Sequence, residues 1–385
     1  MNTLLQELAN DEKQITGWRH HMHRHPELAF EERHTAEYIT GLLRSWGYEV
    51  ATGVGKTGIV ASLTAGDGRK AIGLRADIDA LPVAEKAAGD HRSTVEGRSH
   101  TCGHDGHSAM LLGAAQHLAR TRSFNGTVRL IFQPAEEVMG GALAMIKDGL
   151  FERFPMDAVF GMHNMPGLEL GTIHFTTGPV MAAVDNWEIE LGGKGSHGSM
   201  PERSIDPVVA GASLVMALQT ITSRNVAPLD SAVVSVGAFL AGDAGNVIPQ
   251  SALLRLSIRT SRPETRELVL GKVRSITAAQ ADCYGVTWEI REGTPGAVLV
   301  NDAEQTAFAA TVAKDLLGAD KVVTDGPRFM GSEDFAFFAQ HKPGTYCFIG
   351  NGDTPMVHHP QYDFDDRNLP VGAAYWVALA ESFLR

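Results

Sequence analysis

The chain has 385 residues, 44% of them apolar, and a formal net charge of -12. That length is too great for one small core, so two domains are expected. The acidic balance excludes nucleic acid as a main partner, because no basic excess exists to neutralise phosphates. The opening MNTLLQELANDEKQ holds no long apolar run, and no stretch approaches the length of a membrane span, so neither an export signal nor a membrane partner is expected. Three cysteines, Cys102, Cys283 and Cys347, are an odd count that does not make a disulfide framework, and with no export signal expected this points to a reducing cytoplasm.

In chain order, residues 33–46 have helical periodicity and end at Gly47. GIVASL and KAIGLRAD read as strands, SAMLLGAAQHLART as a helix capped by Ser108, and GTVRLIFQP as a strand stopped by Pro134. GGALAMIKDGLF is expected as a helix and DAVFGMH as a strand. Strands alternating with helices define an α/β fold with a largely parallel sheet. From Asn186 to Glu292 the pattern changes to β-α-β-β-α-β, a complete ferredoxin-like domain. After GTPGAV the first style resumes, with helices in AEQTAFAATVAKDLLG, SEDFAFFAQ and AAYWVALAESFL and a strand in GTYCFIG. The expected organisation is therefore a discontinuous domain, 1–183 and 294–385, interrupted by an inserted domain, 184–293.

The unusual polar residues gather at predicted strand ends. GLRAD ends in Asp77 with Asp79 following, LIFQPAEE ends in Glu136 and Glu137, and AVFGMH ends in His163. In open α/β sheets the carboxyl ends of the strands form the ligand crevice. The stretch SHTCGHDGHSAM adds Cys102, His104 and His107 from the loop before a helix. Three readings are open there: a Cys102 nucleophile with His104 or His107 as base, a metal site using Cys102 and His104, or a buried thiol beside helix-start histidines. The QPAEE pair favours a metal, since adjacent carboxylates repel unless a cation or proton intervenes. Glu137 then ligates, and Glu136 stays free to take a proton from a water activated by the metal. His163 and either His358 or His359 are candidates to complete the site. The histidines of WRHHMHRHPE, His20, His21, His23 and His25, read as a solvated helix end. In the inserted domain, His197 in GGKGSHGSMP suits donation to an oxyanion. Arg259 suits a substrate carboxylate, and Asn246 is a further candidate.

HTCGHDGH, FQPAEE, GMHNMP, GKGSHGSMP, GNVIP, GSEDFAFF and VHHPQYDF occur in the order seen in the M20 family of metallopeptidases. The resemblance is to its amidohydrolase branch, which includes hippurate hydrolases, and it spans nearly the whole chain. It implies a dinuclear metalloenzyme that cleaves the amide of an N-acyl amino acid, with the inserted domain as lid and dimerisation element. Carried over by motif, Cys102 resembles the bridging ligand, with His104 and His163 on one metal and Glu137 and His358 on the other. Glu136 resembles the general base and His197 the lid histidine. Asn246 and Arg259 are carried over as substrate-carboxylate binders. Thr101 and the serines around His197 depart from the usual pattern without removing a ligand. The implied cofactors are two divalent ions (Zn, Mn, Co or Ni), and the implied partners are a small N-acyl amino acid and a second copy of the chain. The alternatives are an M20-type dipeptidase or carboxypeptidase, a cysteine hydrolase, and a non-catalytic metal-binding relative.

Overall fold

The computed structural model describes residues 3–385. The chain divides into two compact units, Met1–Gly178 with Val300–Pro327 and Asp334–Arg385, and Pro179–Leu299 with Arg328–Glu333.

The first unit is built on an eight-stranded sheet. Its order is Glu49–Val54, Gly58–Ala65, Gly126–Gln133, Ala71–Asp77, Ala158–Met165, Gly344–Gly350, Ile173–His174 and Val322–Val323. The middle four strands are parallel. Three of them, AIGLRAD, AVFGMHNM and GTYCFIG, are buried at every position. Strands covered on both faces need continuous apolar runs rather than alternation. Antiparallel pairs flank this centre. The edge strand Glu49–Val54 escaped the sequence reading because EVATGV is mostly exposed and carries no apolar run.

Helix His104–Thr121 packs against the C-terminal helix Leu369–Phe383 and against Glu12–Arg24. Met110, Leu118, Trp376, Val377 and Ile15 belong to one core. The first of these helices has its N-cap at Gly103, five residues before the expected Ser108 cap. The Ser108 hydroxyl instead donates to the Asp77 carbonyl at 2.8 Å, fastening the helix to a central strand. The single helix expected over 140–151 is two, Gly141–Lys147 and Leu150–Arg153, separated at left-handed Gly149.

The solvated reading of the N-terminal histidines holds for His21 and His25, which are exposed, and fails for His23, which is buried. Arg19, also buried, donates to Asp105 at 2.9 Å and Asp366 at 2.8 Å and also pairs with Asp363. His23 pairs with Asp105 at 2.8 Å and Glu85 at 3.1 Å. Burial opposes a charge on His23, but Asp105 and Glu85 outweigh it and raise its pKa to about 9. A raised folded-state pKa gives stability that is fully present below the unfolded value, about 6.5, and lost as pH rises through 9. The expected result is that wild type loses up to about 3 kcal/mol relative to His23→Gln between pH 6.5 and 9.5. Paired denaturant titrations across that window measure it, and parallel curves for the two proteins would refute it.

The second unit is a four-stranded antiparallel sheet in the order Ala232–Leu240, Ser251–Thr260, Ala183–Gly192, Thr287–Glu292. Helices Pro207–Arg224 and Pro263–Tyr284 pack together. They share with the sheet a core that includes Trp187, Ile189, Leu214, Leu218, Leu254 and Val273. Charges cross neighbouring strands where alternation points residues outward: Arg255 meets Glu188 at 2.9 Å and Arg291 meets Glu190 at 2.9 Å. The order β-α-β-β-α-β is that of the sequence reading. The unit also takes in the distant segment Arg328–Glu333, where the Met330 carbonyl accepts from Arg259 at 2.7 Å. Among the described residues, no helix is long and apolar enough to cross a membrane.

Candidate metal centre

The site in the first unit starts from one glycine. Gly103 has φ 92°, and a Cβ there would lie 2.4 Å from Asn164 Nδ2 and 2.5 Å from Tyr362 Oη. Only glycine permits the left-handed backbone and the close approach together. The turn places Cys102 and His104 on the same side of the loop. Asn164 holds it, donating from Nδ2 to the Cys102 carbonyl at 2.7 Å and accepting from the Tyr362 hydroxyl at 2.5 Å. Gly103→Ala is expected to destabilise the protein by more than the ~1–2 kcal/mol of a left-handed alanine, since the contacts add to it. A denaturant midpoint equal to wild type would contradict this.

The other donors come from a strand, a helix start and two turns. His163 lies within the strand Ala158–Met165 rather than after it. Its Nδ1 donates to the Asn164 carbonyl at 2.5 Å, which leaves Nε2 unprotonated, 3.4 Å from Cys102 Sγ. His104 Nδ1 faces the Asp79 carbonyl at 2.9 Å and Asp79 Oδ1 at 3.1 Å. This is the outer contact that fixes the tautomer of a ligating histidine. Asp79 Oδ2 also accepts from the Glu137 backbone N–H at 3.0 Å, so one carboxylate orients two candidate ligands. His358 has φ 68°, an uncommon conformation for a non-glycine residue. It is held there by its N–H, which donates to the Thr101 carbonyl at 2.7 Å. Its Nε2 is 3.3 Å from Glu137 Oε1.

These donors form two overlapping sets. Those of Cys102, His104 and His163 lie within 4.8 Å of one another, as do those of Cys102, Glu137 and His358. Cys102 belongs to both. Glu136 Oε2 lies 4.0 Å from His104 Nε2. His107, the third histidine of the loop, is occupied otherwise: Nδ1 meets Asp77 at 2.6 Å and Nε2 accepts the Asn164 N–H at 3.0 Å.

The residues fit a divalent metal pair on two counts. His104 Nε2 is buried without a hydrogen-bond partner, and a buried polar atom of that kind requires explanation. The local charge also calls for cations. Burial opposes the charge on His104, yet Asp77, Asp79 and Glu137 hold its pKa at about 10. Burial, Glu137, Glu136 and Asp77 push the Cys102 thiol well above its usual range. The same fact counts against a cysteine nucleophile. Reactive thiols sit among positive groups that favour the thiolate, whereas Glu137, Glu136 and Asp77 oppose it at Cys102.

His197, Asn246 and Arg259 lie in the second unit. His197 Nδ1 accepts from the Ser199 N–H at 3.1 Å and lies 2.8 Å from the Ser199 hydroxyl, which places the ring proton on Nε2. Asn246 is exposed and its carbonyl accepts the Gly198 N–H at 2.8 Å. Arg259 is engaged at the Met330 carbonyl. The sequence reading missed the supports, Asn164, Tyr362 and the role of Asp79. Asn164 and Tyr362 fall inside the quoted motifs GMHNMP and VHHPQYDF, which is the signal that singles them out.

A mostly parallel sheet with thiol, imidazole and carboxylate donors gathered beside its central strands fits a class, the metal-dependent hydrolases on an α/β frame. The chain belongs to peptidase family M20/M25/M40, whose profile matches residues 73–382. It is 43% identical to a hippurate hydrolase of Campylobacter jejuni subsp. jejuni, over 99% of this chain and 100% of that one. It is 38% identical to an N-acetyl-L-cysteine deacetylase of Bacillus subtilis, over 96% and 88% of the two chains. Among solved structures, the YXEP protein of Bacillus subtilis, described as a dinuclear metal-binding peptidase of the M20 family, aligns with a TM-score of 0.85. It shares 33% identity over 98% of this chain and 99% of that one.

Proposed function

We propose that the protein is a metal-dependent amidohydrolase that cleaves N-acyl amino acids to a carboxylic acid and a free amino acid. The observation that carries this is the pair of donor sets sharing Cys102, with Glu136 beside them. Cys102, His104 and His163 would hold one divalent ion, and Cys102, Glu137 and His358 the other, with Zn, Mn, Co and Ni as candidates. Such a pair, when bound, polarises the amide carbonyl and lowers the pKa of water. Glu136 takes the proton of the attacking water and returns it to the leaving amine, the general acid–base role. His197 donates from Nε2 to the developing oxyanion. Asn246 and Arg259 receive the substrate carboxylate. The curated relatives that act on hippurate and N-acetylcysteine support this substrate class.

The second unit is proposed as the lid and as the surface of a homodimer. Val209, Met216 and Leu240 are exposed apolar groups on its helix Pro207–Arg224 and edge strand Ala232–Leu240, and such groups mark association surfaces. Free Cys102, Cys283 and Cys347 support a reducing cytoplasmic setting.

A panel of hippurate, N-acetyl and longer N-acyl amino acids, with chelator and metal add-back, tests the reading. Turnover that chelator removes and metal restores is expected. Turnover on dipeptides alone would move the protein to the peptidase alternative.

A further inference from the structure

Glu32 lies in the N-terminal stretch, about one hundred residues before QPAEE, and is fully buried. Its Oε1 accepts the backbone N–H of Ala135 at 2.9 Å and that of Phe30 at 2.9 Å. Its Oε2 accepts from the Thr57 hydroxyl at 2.5 Å. One carboxylate thus joins three loops, and each carries a non-glycine residue in the left-handed region: Phe30 at φ 64°, Lys56 at 80° and Ala135 at 53°. Such a conformation is unfavourable for a residue with a side chain and persists only where surrounding contacts enforce it.

Ala135 immediately precedes Glu136. Its carbonyl accepts from the N–H groups of Gly140 and Gly141, so both sides of this residue are tied down. Gly141 is held to glycine, because a Cβ there would lie 1.6 Å from the Pro134 carbonyl oxygen. On the far side of the pair, Asp79 holds the Glu137 N–H. The two glutamates therefore have separate anchors. Asp79 serves Glu137 and the metal donors, and Glu32 serves the approach to Glu136.

We infer that Glu32 is a positioning residue for Glu136: its Oε1, bonded to the Ala135 N–H, fixes the left-handed turn that aims the Glu136 carboxylate. This rests on the reading of Glu136 as the proton-transfer group. Glu32 touches neither substrate nor metal donors. Its effect falls on proton transfer, which depends on sub-ångström placement, rather than on substrate binding.

The test compares Glu32→Ala, Glu32→Gln and Thr57→Val with wild type by kcat, KM and bound metal on the best N-acyl amino acid. Amide hydrogen exchange of the segment 131–138 is read on the same proteins. Glu32→Ala is expected to lose about 100-fold in kcat, the scale of an ångström misplacement, with KM and metal content near wild type and faster exchange. Glu32→Gln keeps an acceptor oxygen in place and restores most of kcat and the slow exchange. Thr57→Val loosens the carboxylate and gives a smaller loss of kcat alone, which decides the matter if Glu32→Ala does not fold. Wild-type kcat in both Glu32→Ala and Thr57→Val overturns the proposal, as does a Glu32→Gln as slow as Glu32→Ala, or a loss of metal that accounts for the rate. If wild type itself turns over no amide, the functional reading fails, while the exchange difference still decides the role of Glu32.

Discussion

Glu136→Ala is expected to bind metal as wild type does and to lose about 10²–10⁴-fold in turnover, the usual worth of a positioned acid–base group. Glu136 belongs to neither of the donor sets that share Cys102. It is nearly buried, at 7% exposure, on a turn whose backbone is fixed by Glu32 at Ala135 and by Asp79 at Glu137. Removing its carboxylate takes away the proton carrier and leaves the donors in place. Metal analysis beside kcat on the same preparation decides this. Full activity with full metal would sink the assignment, and loss of metal would make Glu136 a ligand.

Cys102→Ala is expected to empty both positions, whereas Glu137→Ala lowers occupancy through its own set. The Cys102 sulfur is the donor that both sets need. Its carboxylate neighbours make a thiolate costly without a cation and favourable with one, since a coordinated thiol is deprotonated outright. In the alanine variant the carboxylates remain without that sulfur, and His104 and Glu137 are left to neutralise one another. Bound metal per chain after dialysis reads the effect. Two ions retained by Cys102→Ala would rule out the sulfur as a shared ligand.

How much of this the sequence reveals depends on the range of each interaction. Three of the central strands are legible because they are buried at every position and so largely apolar, and Asp77, Glu136 and Glu137 stand out because chemistry collects at strand ends. His163 follows from the same rule, and the choice of His358 over His359 follows from the family motif alone. The anchors are not legible in this way. Glu32 reaches Ala135 across about one hundred residues, and Arg19 reaches Asp363 and Asp366 across more than three hundred. Nothing in local periodicity reports such a partner. The expected Ser108 cap fails for a related reason: Ser108 is a plausible cap by type, but the left-handed Gly103 starts the helix earlier and tertiary contacts use the serine hydroxyl. Arg328–Glu333 joins the second unit because Arg259 bonds Met330, 71 residues away in sequence.

The most direct measurement is a metal titration of chelated protein, with ions bound per chain and hydrolysis of the best N-acyl amino acid read on the same samples. Activity that is absent at zero occupancy and rises to its plateau as binding approaches two ions per chain is the expected result. Full hydrolysis from metal-free protein would contradict the central claim.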